Sequence, residues 1–179
     1  MKIATAYTLH QRRVSSRAVV TPDIFWLPGG ALLYTGTGAG VGSNVSSLAA
    51  YTLPDGGIST ARGMIPLPAA WAGKLTQMHI VWMPADANAG NVYFAAASLR
   101  RLASDATITL LEDVTTTVDA SPASATKTAI TAINFAALPL DIASGEYLSI
   151  AIARSGAHAS DTYANTIYLI GLGFGIRRS

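Results

Sequence analysis

The three histidines of this chain, His10, His79 and His158, are its best candidates for acid–base or metal chemistry, and none has a second histidine or a carboxylate at a ligand-pair spacing. His79 alternates with Val81 in a run that begins near Leu75, so it reads as a partly buried strand residue with a satisfied ring nitrogen. His158 shares a loop rich in Gly, Ala and Ser with Asp161, but catalysis needs a positioned third group, and a structural or solvent-facing role is expected. Neither metal nor cofactor is expected.

Other chemical motifs dissolve on inspection. The glycine-rich run from Gly36 to Gly42 fits neither phosphate-binding pattern and is not followed by a helical segment, so it reads as a loop. Ser124 and Lys127 satisfy Ser-x-x-Lys by letters, yet they sit in a Ser/Thr/Ala linker without walls to exclude water. The acids are dispersed, with Glu112 and Asp113 the adjacent pair, whereas a glycosidase needs two carboxylates facing across a cleft. A non-enzymatic protein is expected. Trp26, Trp71 and Trp82 would make a sugar-stacking platform if exposed, but their neighbours Phe25, Leu67 and Ile80 favour core or subunit-interface packing.

The elements that must carry these residues are strands. With 50% hydrophobic residues, 12% charged, 16 Gly and 8 Pro, the 179-residue chain has the composition of one β-rich domain. Ordinary soluble domains are roughly 25% charged, so much of this surface must be small and neutral or covered by another copy. The absence of cysteine excludes disulfides and thiolate metal sites. From Leu67 to Phe94 the order is strand, Ala72-Gly73 turn, alternating strand to Met83, loop from Pro84 to Gly90, strand. Further strands are expected near 31–34, 48–53, 58–67, 106–111, 127–135, 147–154 and 166–176, with the third strand of the first group over 91–99. Pro54-Asp55-Gly56-Gly57 is a tight turn.

Alternation is clearest near the end. Leu148, Ile150 and Ile152 share one face, and Tyr168, Ile170, Leu172, Phe174 and Ile176 are read as a single core face, with Gly171, Gly173 and Gly175 on its reverse permitting close approach by a neighbouring segment or subunit. Residues 167–176 form the longest apolar run, about half of what a membrane-spanning helix needs. About eight strands in one domain predict an all-β, single jelly-roll-type β-sandwich of antiparallel strands over residues 23–179, preceded by an extended basic arm over residues 1–22. Lys2, Arg12, Arg13 and Arg17 all precede the first acid, Asp23, while the net charge is only +2, so the arm rather than the body would meet an acidic partner; nucleic acid and membrane are not expected partners.

The succession Asp23 to Ala31, Leu67 to Trp71, Ile80-Val81-Trp82, Gly90 to Phe94, Gly145 to Leu148, Arg154 followed by Asp161-Thr162, and Ile170 to Phe174 resembles jelly-roll virion proteins of tailed bacteriophages. The resemblance implies a homotrimeric capsid decoration (cement) protein, assembled in a host cytoplasm and located in the virion, that docks on the major capsid protein through Lys2, Arg12, Arg13 and Arg17. It departs from the pattern in its richness in Ala, its low charge and the scarcity of acids over residues 119–128. The alternatives are a tail or head-fibre attachment domain gripping a glycan receptor, against which the short lead-in counts, and a carbohydrate-binding module, against which the missing secretion signal counts.

Overall fold

Runs of β-branched and aromatic residues broken by Pro, Gly and Asn favour strands, and in the computed structural model the described residues are strands joined by turns. Those residues are 23–29, 32–35, 40–41, 50–66, 73–102, 109–112, 117–133, 139–143 and 146–178. In chain order the strands are β1 (Asp23–Pro28), β2 (Leu33–Thr35), β3 (Gly40–Val41), β4 (Tyr51–Leu53), β5 (Ile58–Pro66), β6 (Gly73–Pro84), β7 (Asn91–Leu102), β8 (Thr109–Glu112), β9 (Thr117–Ala120), β10 (Ala129–Ile133), β11 (Leu140–Ile142), β12 (Tyr147–Ser155) and β13 (Ile167–Arg178). Four of these, β1, β3, β9 and β11, lie where the sequence pattern predicts no strand, because short segments of two to six residues are too brief to show a period.

The strands form two antiparallel sheets. One runs β10-β6-β13-β4-β3, with β1 also on β13 and β11 also on β6; the other runs β2-β5-β12-β7-β8, with β9 also on β7. β1 and β4 occupy successive lengths of one edge of β13, as β10 and β11 do on β6 and β8 and β9 on β7. Among the described residues eleven segments thus fill eight strand positions, and β2 and β3 are added at the rims. From β4 to β13 the chain alternates between sheets except where β7, β8 and β9 follow one another in one sheet and β10 and β11 in the other, the two-Greek-key path of a jelly roll. The predicted fold class is the observed one.

The core is where the two inner faces meet. Leu53, Ile65, Leu75, Met78, Ile80, Trp82, Phe94, Leu148, Ile150, Ile152, Leu172 and Phe174 belong to one buried cluster. Trp82 of one sheet meets Phe94 of the other edge-on, with centroids 6.1 Å apart. Its indole N–H donates to Thr131 Oγ1 at 2.7 Å, and that hydroxyl donates to Asp119 Oδ2 at 2.6 Å, so a buried polar atom is satisfied by a relay that reaches the surface.

β13 corrects the reading of one continuous core face. Its pairing with β6 shifts register between Leu169 and Gly171, so the alternation resets: Ile167 and Leu169, then Leu172, Phe174 and Ile176, face the main core, while Ile170 joins a small outer cluster with Ala50 and Met83, packed by Val81 and Tyr168. A bulge adds one residue to the strand and flips everything after it. β7 also runs as far as Leu102, beyond the strand expected over 91–99.

Candidate functional site

Two regions of the sandwich concentrate polar chemistry: the loop end near Arg154 and the outer face of the β5-β12-β7 sheet. Because Leu148, Ile150 and Ile152 point inward, the period of two also carries Arg154 to the inner face, where its side chain is fully buried. All five of its N–H donors are used. Nε and Nη2 fork onto Asp161 Oδ2 and Oδ1 at 2.9 Å each; Nη1 donates to the carbonyls of Leu53 (2.9 Å) and Asn165 (2.6 Å), and Nη2 to that of Tyr163 (2.6 Å). Asp161, its side chain buried although its backbone reaches the surface, also accepts from the Tyr93 amide at 3.0 Å.

The loop between β12 and β13 is held by further contacts. Tyr163 donates its hydroxyl proton to Asp86 Oδ1 at 2.9 Å, and Asn165 Nδ2 and Asn88 Nδ2 donate to Asp86 Oδ2. The amide of Asn88, followed by the side chain of Asn165, holds the Asp86 carboxyl below its ordinary pKa of 3.8. Burial raises the Tyr163 phenol above its ordinary 10.0. His158 is exposed and stacks on Tyr93 at 3.8 Å, as a surface role requires. Gly156 lies so close to the Asp55 backbone that no Cβ fits between the two turns. Arg154, Asp161, Tyr163 and Asp86 are all engaged within the chain, although the buried Ser59 hydroxyl opposite Arg154 has no partner, so this end is a structural clamp.

The outer face of the second sheet is different. The β5 burial pattern exposes Ile58, Arg62, Met64 and Pro66 in alternation, and the β12 pattern turns Tyr147, Ser149 and Ala151 to the same side. The register sets these residues in rows: Pro66, Tyr147 and Leu102; then Met64, Ser149 and Arg100; then Leu33, Arg62 and Ala151. Small side chains on the central strand between long ones on both neighbours make a trough. Its floor is Ser149 and Ala151, Arg62 and Met64 stand on one wall, Arg100 stands on the other, and Tyr147, 46% exposed, lies at one end. Two open depressions of about 360 Å³ each occupy it, one lined by Arg62, Arg100, Ser149 and Ala151, the other by Leu33, Arg62, Gly63, Met64 and Ser149.

The residues singled out from the sequence fall elsewhere. Lys2, Arg12, Arg13, Arg17 and Trp71 lie outside the described residues. Trp82 is core, and Trp26, at 41% exposure, is on the surface rather than in the core. The three glycines of β13 are buried on the reverse of that strand. Gly173 lies beneath Trp26 of β1, whose Cε3 would be 4.0 Å from an added Cβ, and the Gln77 side chain leaves no room for a Cβ on Gly175; the close neighbours there are side chains of this same chain. His79 is partly buried as expected, but its Nδ1 has no hydrogen-bond partner, contrary to the expected satisfied ring, because the flanking positions in its row are Ala132 and Gly173. Ser124 and Lys127 occupy a turn in which Ser124 Oγ meets Thr126 Oγ1. Among the described residues no group of three or more His, Asp or Glu side chains is placed to hold a metal ion. Sequence reasoning missed Arg62, Arg100 and Tyr147, although alternation within β5 and β12 already places Arg62 and Tyr147 on faces opposite their apolar neighbours.

No protein-family profile and no curated protein matches the chain. Among solved structures it is similar to the family 11 carbohydrate-binding module from Clostridium thermocellum in complex with a β-1,3-1,4-mixed-linked tetrasaccharide (13% identity, 87% of this chain and 98% of that one, TM-score 0.45). It is also similar to the CBM22-2 xylan-binding domain of Paenibacillus barcinonensis Xyn10C (13% identity, 85% and 98%, TM-score 0.44) and to the C-terminal family 22 module of Clostridium thermocellum Xyn10B (12% identity, 86% and 93%, TM-score 0.40). Superpositions of that quality assign no ligand, and the trough is the feature that function must be argued from.

Proposed function

We propose that this chain is a non-catalytic binding module that holds an extended saccharide chain along the outer face of the β5-β12-β7 sheet. The observation that carries this is the trough itself: open at the surface, floored by Ser149 and Ala151, and lined by exposed hydrogen-bond donors beside exposed apolar groups. Sugars present hydroxyl edges and apolar C–H faces together. Arg62 and Arg100 suit the edges, and Tyr147, Met64 and Leu33 suit the faces. An open groove along a strand fits a polymer better than an enclosed pocket would. Among the described residues neither depression is lined by a carboxylate or histidine that could serve as an acid–base pair. The reading covers both a free-standing carbohydrate-binding module and a fibre attachment domain.

The test is retardation of the full chain in gels containing soluble polysaccharides, with Ser149→Trp as the variant that fills the floor. Retardation of the wild type that Ser149→Trp abolishes, at unchanged thermal stability, supports the reading. Equal retardation of both proteins refutes it.

A second reading, a virion structural protein of a tailed phage, is favoured by exposed apolar side chains on both sheets, including Ile130 at 66% and Ile58 at 63%. Sister copies would cover them in a homotrimer, and the basic arm with Lys2, Arg12, Arg13 and Arg17 would dock on the major capsid protein. Mass in solution tests the trimer. Particle occupancy after deletion of residues 1–20 tests the arm.

A further inference from the structure

We infer that the saccharide read above into the trough is acidic, a polysaccharide bearing carboxylates, with Arg62 and Arg100 as its charge contacts. The inference deepens the saccharide reading and rests on it. Its ground is charge left without a partner. Four arginines of the second sheet have described side chains. Arg154 is saturated, and Arg101 lies 3.7 Å from Glu146. Arg62 and Arg100, both exposed, have no carboxylate partner among the described residues. Even the half-buried Lys74, on the other sheet, is paired with Asp141 at 2.7 Å.

The geometry suits a chain with repeated anions. Arg62 is in the Ala151 row and Arg100 in the Ser149 row, on opposite sides of β12. Two strand spacings across and two residues along put their Cα atoms about 12 Å apart, and both side chains line one depression of about 360 Å³. A ligand lying along the floor therefore meets one guanidinium from each wall. Each is a planar fork that matches a carboxylate with two parallel hydrogen bonds. Among the described residues no acidic side chain lines either depression to repel an anion. The apolar groups at Leu33, Met64 and Tyr147 remain for the sugar rings.

The experiment measures binding of the full chain to polygalacturonate, sulfated dextran, neutral dextran and a neutral mixed-linked β-glucan, using the wild type, Arg62→Gln, Arg100→Gln, the double variant and Tyr147→Ala. Circular dichroism melts verify that each is folded. The expected result is binding to polygalacturonate that falls about tenfold or more in each single glutamine variant, and further in the double, and that weakens as salt is raised. A neutral glucan bound as tightly, with affinity unchanged by the glutamine variants and lowered by Tyr147→Ala, overturns the acidic ligand and leaves the saccharide trough standing. Sulfated dextran bound without polygalacturonate overturns the carboxylate assignment. Failure of the wild type to bind any of the four overturns both readings.

Discussion

Arg154 and Arg62 sit on neighbouring strands of one sheet, and they show what a sandwich does with the same side chain on its two faces. Arg154 points inward and finds a carboxylate, three carbonyls and a second acid, Asp55, at 3.5 Å. Arg62 points outward and finds none of these among the described residues. A guanidinium inside must be saturated, because an unpaired buried charge costs several kcal/mol; one outside can be left open to water until a ligand arrives. The buried arginine is therefore part of the scaffold. The exposed pair, Arg62 and Arg100, is the part available for recognition.

The comparison breaks most easily at Arg154. Arg154→Ala strands the Asp161 carboxylate in the interior and should cost about 3–5 kcal/mol, which for a domain of this size lowers the melting temperature by roughly 6–20 °C. Pairing Arg154→Met with Asp161→Leu removes both charges, yet it leaves the carbonyls of Leu53, Tyr163 and Asn165 without their donor. Only a small part of the loss should return. A double variant as stable as wild type would show that the clamp contributes no more than an apolar plug.

Next in size is the relay beneath the core. Thr131→Val leaves the Trp82 indole N–H buried without an acceptor and should cost about 1–3 kcal/mol in chemical denaturation. Tryptophan fluorescence would report the same site. A variant indistinguishable from wild type would mean that the N–H finds another acceptor.

The exposed arginines should behave in the opposite way. Arg62→Gln and Arg100→Gln should each shift unfolding by no more than about 0.5 kcal/mol, as surface changes usually do, whatever they do to binding. A loss of several kcal/mol would make Arg62 or Arg100 a scaffold residue and remove the contrast.

The inner face of this molecule was the legible part. Alternation in residues 147–154 names Leu148, Ile150 and Ile152 as core, and the next step of the same period reaches Arg154. Its partner, Asp161, is seven residues on in a loop, where no period applies, so the ion pair is visible only once the turn at Gly156 has folded. The bulge near Ile170 was hidden for a related reason: an extra residue changes which side chains face inward without changing composition. The trough needed three strands in register. Arg62, Ser149 and Arg100 are far apart in sequence and individually ordinary; only the β5-β12-β7 pairing makes them neighbours.

The smallest expected effect is on pH dependence, and it separates the two regions again. Asp86, at the clamp end, has its pKa lowered by hydrogen bonds from Asn88, Asn165 and Tyr163, against an opposing effect of burial. In acid the unfolded chain therefore takes up a proton at this site before the folded chain does. Stability from Asp86 is full above its ordinary pKa of 3.8 and is lost as pH falls through the lower folded value. Asp86→Asn should accordingly flatten the acid limb of a plot of denaturation midpoint against pH below about pH 4, where Asp titrates. Arg62→Gln should leave that limb unchanged, since no acid among the described residues lines the trough. An acid limb identical in Asp86→Asn and wild type would show that the loop network does not discriminate between the charged and neutral carboxyl, and that Arg154 with Asp161 holds this end of the sandwich without it.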